Sequence, residues 1–309
     1  MPPSLPTTAP LPLEPRAWDS RHFGWQVGRI TAAELSDAEL ANLLTAMRAG
    51  GFALVYWPTR ADRVPAEKIL AEFAGQLVDC KTTFSMTLPR VAAIASTSPT
   101  PEQQLTPGAN FNQTIWAAGG LYYVKSYPQL FPCEDLYQLA VAAGQCSRFA
   151  VDANIPVDKF QELYKIWIER SVKGELANAV LAAYRADSAQ PRGIVTISVK
   201  EAVGQIDLIA VAESERGRGL GQLLLTAAEQ WMLGQSCHTA SVVTQRHNLP
   251  ACRLYEKHGF SLAKRENYYH FWPLQKMRSA TISTARQRPT TTPLVSDLNL
   301  SGWSGQRVA

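Results

Sequence analysis

Apolar residues along the chain follow two spacings, one typical of strands and the other of helices. Short apolar runs predict strands, namely the segments HFGWQVGRI, FALVYW, LVDCKTTFSM, LYYVKSY, NAVLAAY, GIVTISV, QIDLIAV, TASVVTQ and YYHFW. Between them, apolar residues three or four positions apart predict helices. The clearest helical stripe consists of Phe160, Leu163, Tyr164, Trp167 and Ile168. The pattern predicts an α/β protein.

The other predicted helices have recognisable ends. In the segment SDAELANLLTAMRAGG, Ser36 and Glu39 form a capping-box pair and two glycines follow the last turn. Further helices are predicted from Glu134 to about Ser147, directly after the segment RGRGLG, and from Leu249 to His258. These signals are local, so they fix where helices begin and end.

Segments without periodicity divide the chain. Residues 1–15 are rich in proline and predict a disordered lead-in, and residues 16–88 predict a small N-terminal α/β domain. Residues 89–117, with many Pro, Thr, Ser and Gln, predict a linker or long loop. Residues 118–276 predict a second domain, and residues 277–309 a disordered tail.

Composition narrows the class of protein. The net charge of the chain is +4. The tail from Lys276 onward supplies all of it, because it holds five basic residues and one acidic residue, Asp297. The rest of the chain is therefore close to neutral. A nucleic-acid binder would carry its basic face on the folded part, and that function is set aside. There is no apolar run of membrane-spanning length and no secretory signal pattern. The five cysteines and five histidines lack metal-ligand spacing, so we expect no metal and reduced thiols in the cytoplasm.

The segment VAESERGRGLGQLLL places three glycines and two arginines where a helix begins. A helix N-terminus exposes backbone N–H groups and partial positive charge, which favour an anion. Glycines allow a ligand to approach the backbone, and arginines suit phosphate oxygens. The turn therefore predicts a phosphate or pyrophosphate site. The alternative is a capped helix with a glycine-rich turn that binds no ligand.

Two familiar phosphate loops fit poorly. A Walker loop requires Gly-Lys-Ser/Thr, whereas Gly221 is followed by Gln222 and Leu223. A dinucleotide fingerprint requires GxGxxG with an acidic residue about 20 positions later, and the chain has GxGxG with His238 to Val242 in that region.

The turn resembles the acyl-coenzyme A pyrophosphate loop of the GNAT superfamily of N-acetyltransferases. It follows an apolar strand and opens a helix, as that loop does. The segment NLPACRLYEKHGF resembles the closing signature of the same superfamily, through Asn248, Ala251, Leu254, Tyr255, Gly259 and Phe260. The resemblance covers roughly residues 118–275 and implies a mixed central sheet flanked by helices.

The resemblance also implies roles for particular residues. The co-substrate would be acetyl-CoA, held by the glycine turn, by the backbone of the strand before it and by Asn248. In this fold that strand splays away from its neighbour, which leaves its backbone available to the ligand. The residues concerned are Ile209, Ala210, Val211, Arg216, Gly217, Arg218, Gly219, Leu220, Gly221, Gln222 and Asn248. Tyr255 would be the general acid, with a buried structural tyrosine as the alternative. Asp207 would be the base, unless its side chain faces solvent and a water chain serves instead.

A narrower similarity concerns the acceptor amine. The segments WDSRHFG, GFALV, LVDCKTTFSM, CSRFAVD, LYKIWIERSVKG and TQRHNLPACRLYEKHGF resemble the bacterial TDP-fucosamine acetyltransferases. That resemblance implies a nucleotide-linked amino sugar as acceptor. Arg148, Phe149 and Asp152, expected in a loop between two helices, and Gln245 are the candidate substrate-binding residues; a surface arginine and a core phenylalanine are the alternatives.

Other functions stay open. One is acetylation of a peptide or another small amine, and another is a non-catalytic module that binds acyl-CoA. Tyr255 and Asn248 favour an enzyme. A small-molecule partner is expected, with no nucleic acid and no membrane span, and a homodimer is left open.

Overall fold

The structure is a computed structural model that describes residues 12–89, 114–116 and 120–275. Chain contacts divide it into two compact units. Among the described residues, the first unit comprises 12–80 and 266–275, and the second comprises the rest up to residue 265.

The first unit is a small mixed sheet with helices. Its strands are β1 (Leu13–Pro15), β2 (Val27–Ile30), β3 (Leu54–Arg60) and the later part of β11 (Ser261–Phe271), and its helices are α1 (Ala17–Phe23), α2 (Asp37–Ala49) and α3 (Glu67–Glu72). β2 pairs with β3 in parallel, and β11 pairs with β3 antiparallel. Leu40, Leu44 and Met47 of α2 pack with Trp57 and Phe271 in its core.

The second unit is a larger mixed sheet. Its strands lie in the order β4, β10, β9, β8, β7, β6, β5. They are β4 (Gln76–Thr87, from Lys81), β5 (Ile115–Trp116), β6 (Tyr122–Ser126), β7 (Ala179–Arg185), β8 (Pro191–Lys200), β9 (Val203–Val211) and β10 (Thr239–Gln245). Its helices are α4 (Glu134–Ala143), α5 (Arg148–Val151), α6 (Val157–Val172), α7 (Leu220–Gly234) and α8 (Leu249–His258). The α/β prediction, with a mixed sheet flanked by helices, is confirmed.

The structure follows the predicted elements closely where signals are local. β10 and α8 have the predicted bounds, and the capping box of α2 forms between Ser36 and Glu39. The segment HFGWQVGRI was predicted as one strand, but its first residues end α1, which Gly24 terminates with φ +80°. Residues 13–15 form β1, although disorder was predicted there.

The predicted domain boundaries stay a prediction. The compact units divide at Cys80/Lys81 and Arg265/Glu266, rather than within 89–117. Most of that predicted linker, the first eleven residues and the tail from residue 276 lie outside the described residues.

Two irregularities of β9 position the candidate site. The parallel pairing of β9 with β10 joins Val203–Ile206 to Thr239–Val242 and, over the part of the chain described, goes no further. On its other edge β9 stays paired with β8 up to Val211, with a bulge that leaves Asp207 opposite no residue. The two strands β9 and β10 therefore separate just where the candidate residues begin.

Candidate active site

The glycine turn has a backbone that only glycine adopts easily. Gly217 and Gly219 have φ of +74° and +83°. A Cβ at either position would meet no atom within 4 Å. The turn is therefore open, and its space is available to a ligand.

The N-terminus of α7 is also uncapped by side chains. α7 begins at Leu220, and its N-cap residue, Gly219, makes no side-chain capping hydrogen bond. Leu220 is buried in the core of the unit, so only its backbone is available to a ligand, and Gly221 follows in the first turn. Exposed N–H groups and open space fit a diphosphate.

The arginines of the turn differ in their surroundings. Arg216 is mostly buried, with Nη1 3.9 Å from Glu213 Oε1. Arg218 is half-exposed, and its Nη1 donates to the hydroxyl of Tyr122 at 3.3 Å and lies 3.5 Å from Glu215 Oε2. The Tyr122 hydroxyl donates to the same carboxylate at 2.6 Å. Glu215 and Tyr122 thus hold Arg218 at the edge of the turn, a contact the sequence analysis did not predict.

Gln222 is held from α8. Its side-chain nitrogen contacts Nδ1 of His258, whose Nε2 lies 3.1 Å from Glu229 Oε2. Burial lowers the pKa of His258, while Glu229 opposes that effect, so the ring is neutral with its proton on Nε2 facing Glu229. Gln222 Oε1 is buried without a hydrogen-bond partner among the described residues.

Ile209, Ala210 and Val211 lie on the part of β9 that has separated from β10. All three are buried, and their backbones pair with Val195, Ile194 and Gly193 of β8. The opposite backbone edge is left without a strand partner in the described structure. The predicted separation of the two strands is present, and the role of this edge in holding a ligand stays a prediction.

Asn248 and Tyr255 lie at the start and in the last turns of α8. Asn248 is the N-cap, and its Oδ1 accepts from Ala251 N at 3.4 Å. Its Nδ2 and the hydroxyl of Tyr255 are both buried, with no hydrogen-bond partner in the described part of the chain. Burial, and secondarily the Cys252 thiol, raise the pKa of Tyr255 well above its ordinary value. The phenol therefore keeps its proton at neutral pH.

Asp207 is partly buried, and one of its two carboxylate oxygens is inaccessible to solvent; its role as base stays a prediction. Ser198 Oγ donates to Asp207 Oδ1 at 3.1 Å, and Oδ2 is buried with no partner among the described side chains and backbone. Burial raises the pKa of Asp207 to about 7, and the Ser198 hydrogen bond opposes the rise. The amide of Leu208 donates to Thr196 Oγ1 at 3.0 Å and fixes the bulge. A carboxylate so placed accepts a proton near neutral pH.

The candidate acceptor residues are buried. Arg148 and Phe149 lie on the short helix α5 rather than in a loop, with the Arg148 guanidinium 4.3 Å from the centre of the Phe149 ring. Arg148, Phe149, Asp152 and Gln245 are at most 6% exposed, and each makes interactions within the fold. The surface-arginine alternative is wrong. Their role in binding an acceptor stays a prediction.

No group of three or more His, Cys, Asp or Glu residues that could hold a metal occurs among the residues described. In the same residues, no helix is long and apolar enough to cross a membrane. The five cysteines are free thiols.

Comparison with known proteins matches a part of the second unit to a family. Residues 145–260 match the model of the acetyltransferase (GNAT) family. The spore coat polysaccharide biosynthesis protein SpsD of Bacillus subtilis (strain 168) is 27% identical over 146 residues, 47% of this chain and 50% of that protein. A streptothricin acetyltransferase of Escherichia coli is 37% identical over 60 residues, 19% of this chain and 34% of that protein. The chain thus spans half of the first relative and about a third of the second.

A solved structure shares the fold. A functionally unknown conserved protein from Staphylococcus epidermidis ATCC 12228 is 11% identical, with a TM-score of 0.50, over 80% of this chain and 84% of that chain. Members of the matched family use acetyl-CoA as co-substrate. Residues 145–260, which carry the glycine turn and α8, therefore form an acetyltransferase domain of the GNAT family.

Proposed function

We propose that the protein transfers the acetyl group of acetyl-CoA to a primary amine, and that the amine belongs to a nucleotide-linked amino-deoxysugar. One observation carries the transfer reaction. The open glycine turn, the separated edge of β9 and the unpartnered polar atoms of Asn248 and Tyr255, as far as the structure describes their surroundings, belong to one unit of the fold. A purely structural helix start would require neither the separated edge of β9 nor the unpartnered polar atoms.

The residues present fit acetyl-CoA. The backbone N–H groups from Arg216 to Gln222 would hold its diphosphate, with Arg216 and Arg218 supplying charge. The edge of β9 from Ile209 to Val211 and the Asn248 amide would hold the pantetheine arm. When bound, acetyl-CoA supplies an activated acetyl thioester.

The chain's own groups then complete the chemistry. Asp207 would accept the proton that the attacking amine loses as nitrogen bonds to the acetyl carbon. A backbone N–H on the open edge of β9 would stabilise the negative charge on the carbonyl oxygen. The phenol of Tyr255 would donate its proton to sulfur as the carbon–sulfur bond breaks. Holding both reactants together supplies much of the rate.

The sugar acceptor has weaker support than the reaction. It rests on the resemblance to the TDP-fucosamine acetyltransferases and on the polysaccharide biosynthesis named for the Bacillus relative. The streptothricin acetyltransferase favours a second candidate, a small antibiotic amine. A reducing compartment such as the cytoplasm is part of the proposal, because the cysteines are free thiols.

The test is thiol release from acetyl-CoA with a panel of TDP- and UDP-linked amino sugars, streptothricin and a short peptide. Each amino sugar is matched with the same nucleotide sugar carrying a hydroxyl in place of the amine. We expect release only with an amino sugar, and mass spectrometry should show one acetyl group on its nitrogen. Turnover of streptothricin or the peptide alone would overturn the sugar assignment. Binding of acetyl-CoA without release across the panel would favour a non-catalytic module.

A further inference from the structure

Several buried polar atoms around the end of β10 and along α8 have no hydrogen-bond partner among the described residues. Besides Asn248 Nδ2 and the Tyr255 hydroxyl, the hydroxyl of Thr244 is buried and, in the described residues, has no hydrogen-bond partner. Thr244 itself is 0% exposed. Neither the sequence patterns nor the proposed mechanism assigned it a role.

The sheet geometry places Thr244 at the candidate site. The last residue of β10 paired with β9 is Val242, so Thr244 lies two positions into the separated part. Side chains alternate between the faces of a strand, and Ala240 and Val242 pack in the core cluster that contains Leu220 and Tyr255. Thr244 continues that alternation. Its hydroxyl thus lies on the sheet face that carries the first residue of α7 and the phenol of α8.

A structural role does not explain a threonine here. An unsatisfied buried hydroxyl is destabilising, and valine would fill the same volume without that penalty. Buried threonines elsewhere in the protein do find partners: Thr196 Oγ1 accepts from Leu208 N, and Thr59 Oγ1 donates to the carbonyl of Ala33. Thr82, the register partner of Thr244 on β4, does not satisfy it.

We propose that Thr244 is a binding residue for the donor, and that its hydroxyl hydrogen-bonds an amide or the thioester carbonyl of the acyl-pantetheine arm. The inference rests on the proposed function, since it assumes that acetyl-CoA occupies the space between β9 and β10. It adds a third side chain to Asn248 and Tyr255 on the donor side.

The experiment measures dissociation constants of coenzyme A and of acetyl-CoA by calorimetry, together with the Tm of the ligand-free protein. Thr244→Val removes the hydroxyl and keeps the shape; Thr244→Ser keeps the hydroxyl. Thr45→Val is the control, because Thr45 is exposed on α2 and donates to its own helix at Ala41 O. We expect Thr244→Val to weaken binding about fivefold to tenfold, the scale of one hydrogen bond. Its ligand-free Tm should stay the same or rise, while Thr244→Ser and Thr45→Val bind within about twofold of the wild type.

The two ligands separate two sources of the contact. Weaker binding of acetyl-CoA alone assigns the hydroxyl to the thioester carbonyl, and weaker binding of both ligands assigns it to a pantetheine amide. Wild-type affinity of Thr244→Val for both ligands would overturn the inference and leave the acetyltransferase proposal intact. If Thr244→Val does not fold, the affinities of Thr244→Ala are compared with those of Thr244→Ser, and the same outcomes apply. A wild-type protein that binds neither ligand would overturn both proposals.

Discussion

The proposed donor side and the candidate acceptor side of the second unit differ in how much open backbone they offer. On the proposed donor side, the glycine turn has free space around it, and the edge of β9 from Ile209 to Val211 has no strand partner in the described structure. On the acceptor side, the candidates Arg148, Asp152 and Gln245 are buried side chains that interact within the fold. The donor side therefore offers backbone groups to a ligand, whereas the acceptor candidates already contribute to the folded protein. Substitutions on the two sides should differ in kind, through binding and turnover on one and through stability on the other.

The largest expected effect is on turnover. Tyr255→Phe should lower kcat by about 10²-fold, the scale of a positioned acid, with little change in acetyl-CoA affinity. Tyr269→Phe, which alters a buried tyrosine in the first unit, is the matched control. Steady-state thiol release measures both variants. Near-normal kcat in Tyr255→Phe would remove Tyr255 from the mechanism and weaken the contrast between the two sides.

Arg148→Ala tests the acceptor side. Removing a buried, engaged guanidinium should cost about 2 kcal/mol of unfolding free energy, within the usual range for such changes. Acetyl-CoA affinity should stay unchanged. Urea unfolding and calorimetry provide the two measurements. Unchanged stability with a raised KM for the amine would instead place Arg148 on the acceptor.

Gly219→Ala sharpens the account of the donor side. Since φ is +83° there, alanine should cost about 1–2 kcal/mol of strain, although space for its Cβ exists. Any adjustment of the turn that relieves this strain should also weaken coenzyme A binding. Gly234→Ala, at the other end of the same helix and also in open space, should be neutral or stabilising by up to about 1 kcal/mol. Equal effects of the two substitutions would show that the turn needs no left-handed residue.

A further effect concerns pH. The pKa of Asp207 in the fold is about 7, against an ordinary value of 3.8, so the folded state favours its protonated form. That stabilisation is complete below pH 3.8 and is lost as pH rises through about 7. Asp207→Asn should therefore gain stability relative to the wild type between pH 5 and pH 8 in urea unfolding. A difference that does not change with pH would contradict the raised pKa of Asp207.

Ser198→Ala refines the same test. It removes the hydrogen bond that lowers the Asp207 pKa, so the loss of stability should move to higher pH. Thr226→Ala, whose hydroxyl donates to a helix carbonyl at Gln222 O, should leave that transition in place.

Much of the donor side could be predicted from sequence because its signals are local. The left-handed glycines, the N-cap at Asn248 and the bounds of α8 follow from residues within a few positions of one another. The Tyr122–Glu215 hydrogen bond joins residues 93 positions apart, and no local pattern reports it. The bulge at Asp207 depends on the register between β8 and β9, and the position of Thr244 beyond the paired part of β10 depends on where β10 leaves β9. Register and burial arise from tertiary packing, which local sequence patterns do not report. For this reason Arg148 was expected in a loop, whereas it is buried on α5.

The unpartnered atoms on the donor side have a consequence beyond catalysis. Each one makes the empty protein less stable than its loaded form, and a ligand at a hundred times its Kd adds about 2.7 kcal/mol. Copies that lack the ligand would be the first to open and to meet proteases. The amount of this protein in a cell would then rise and fall with the supply of its acyl donor, without any dedicated regulatory element.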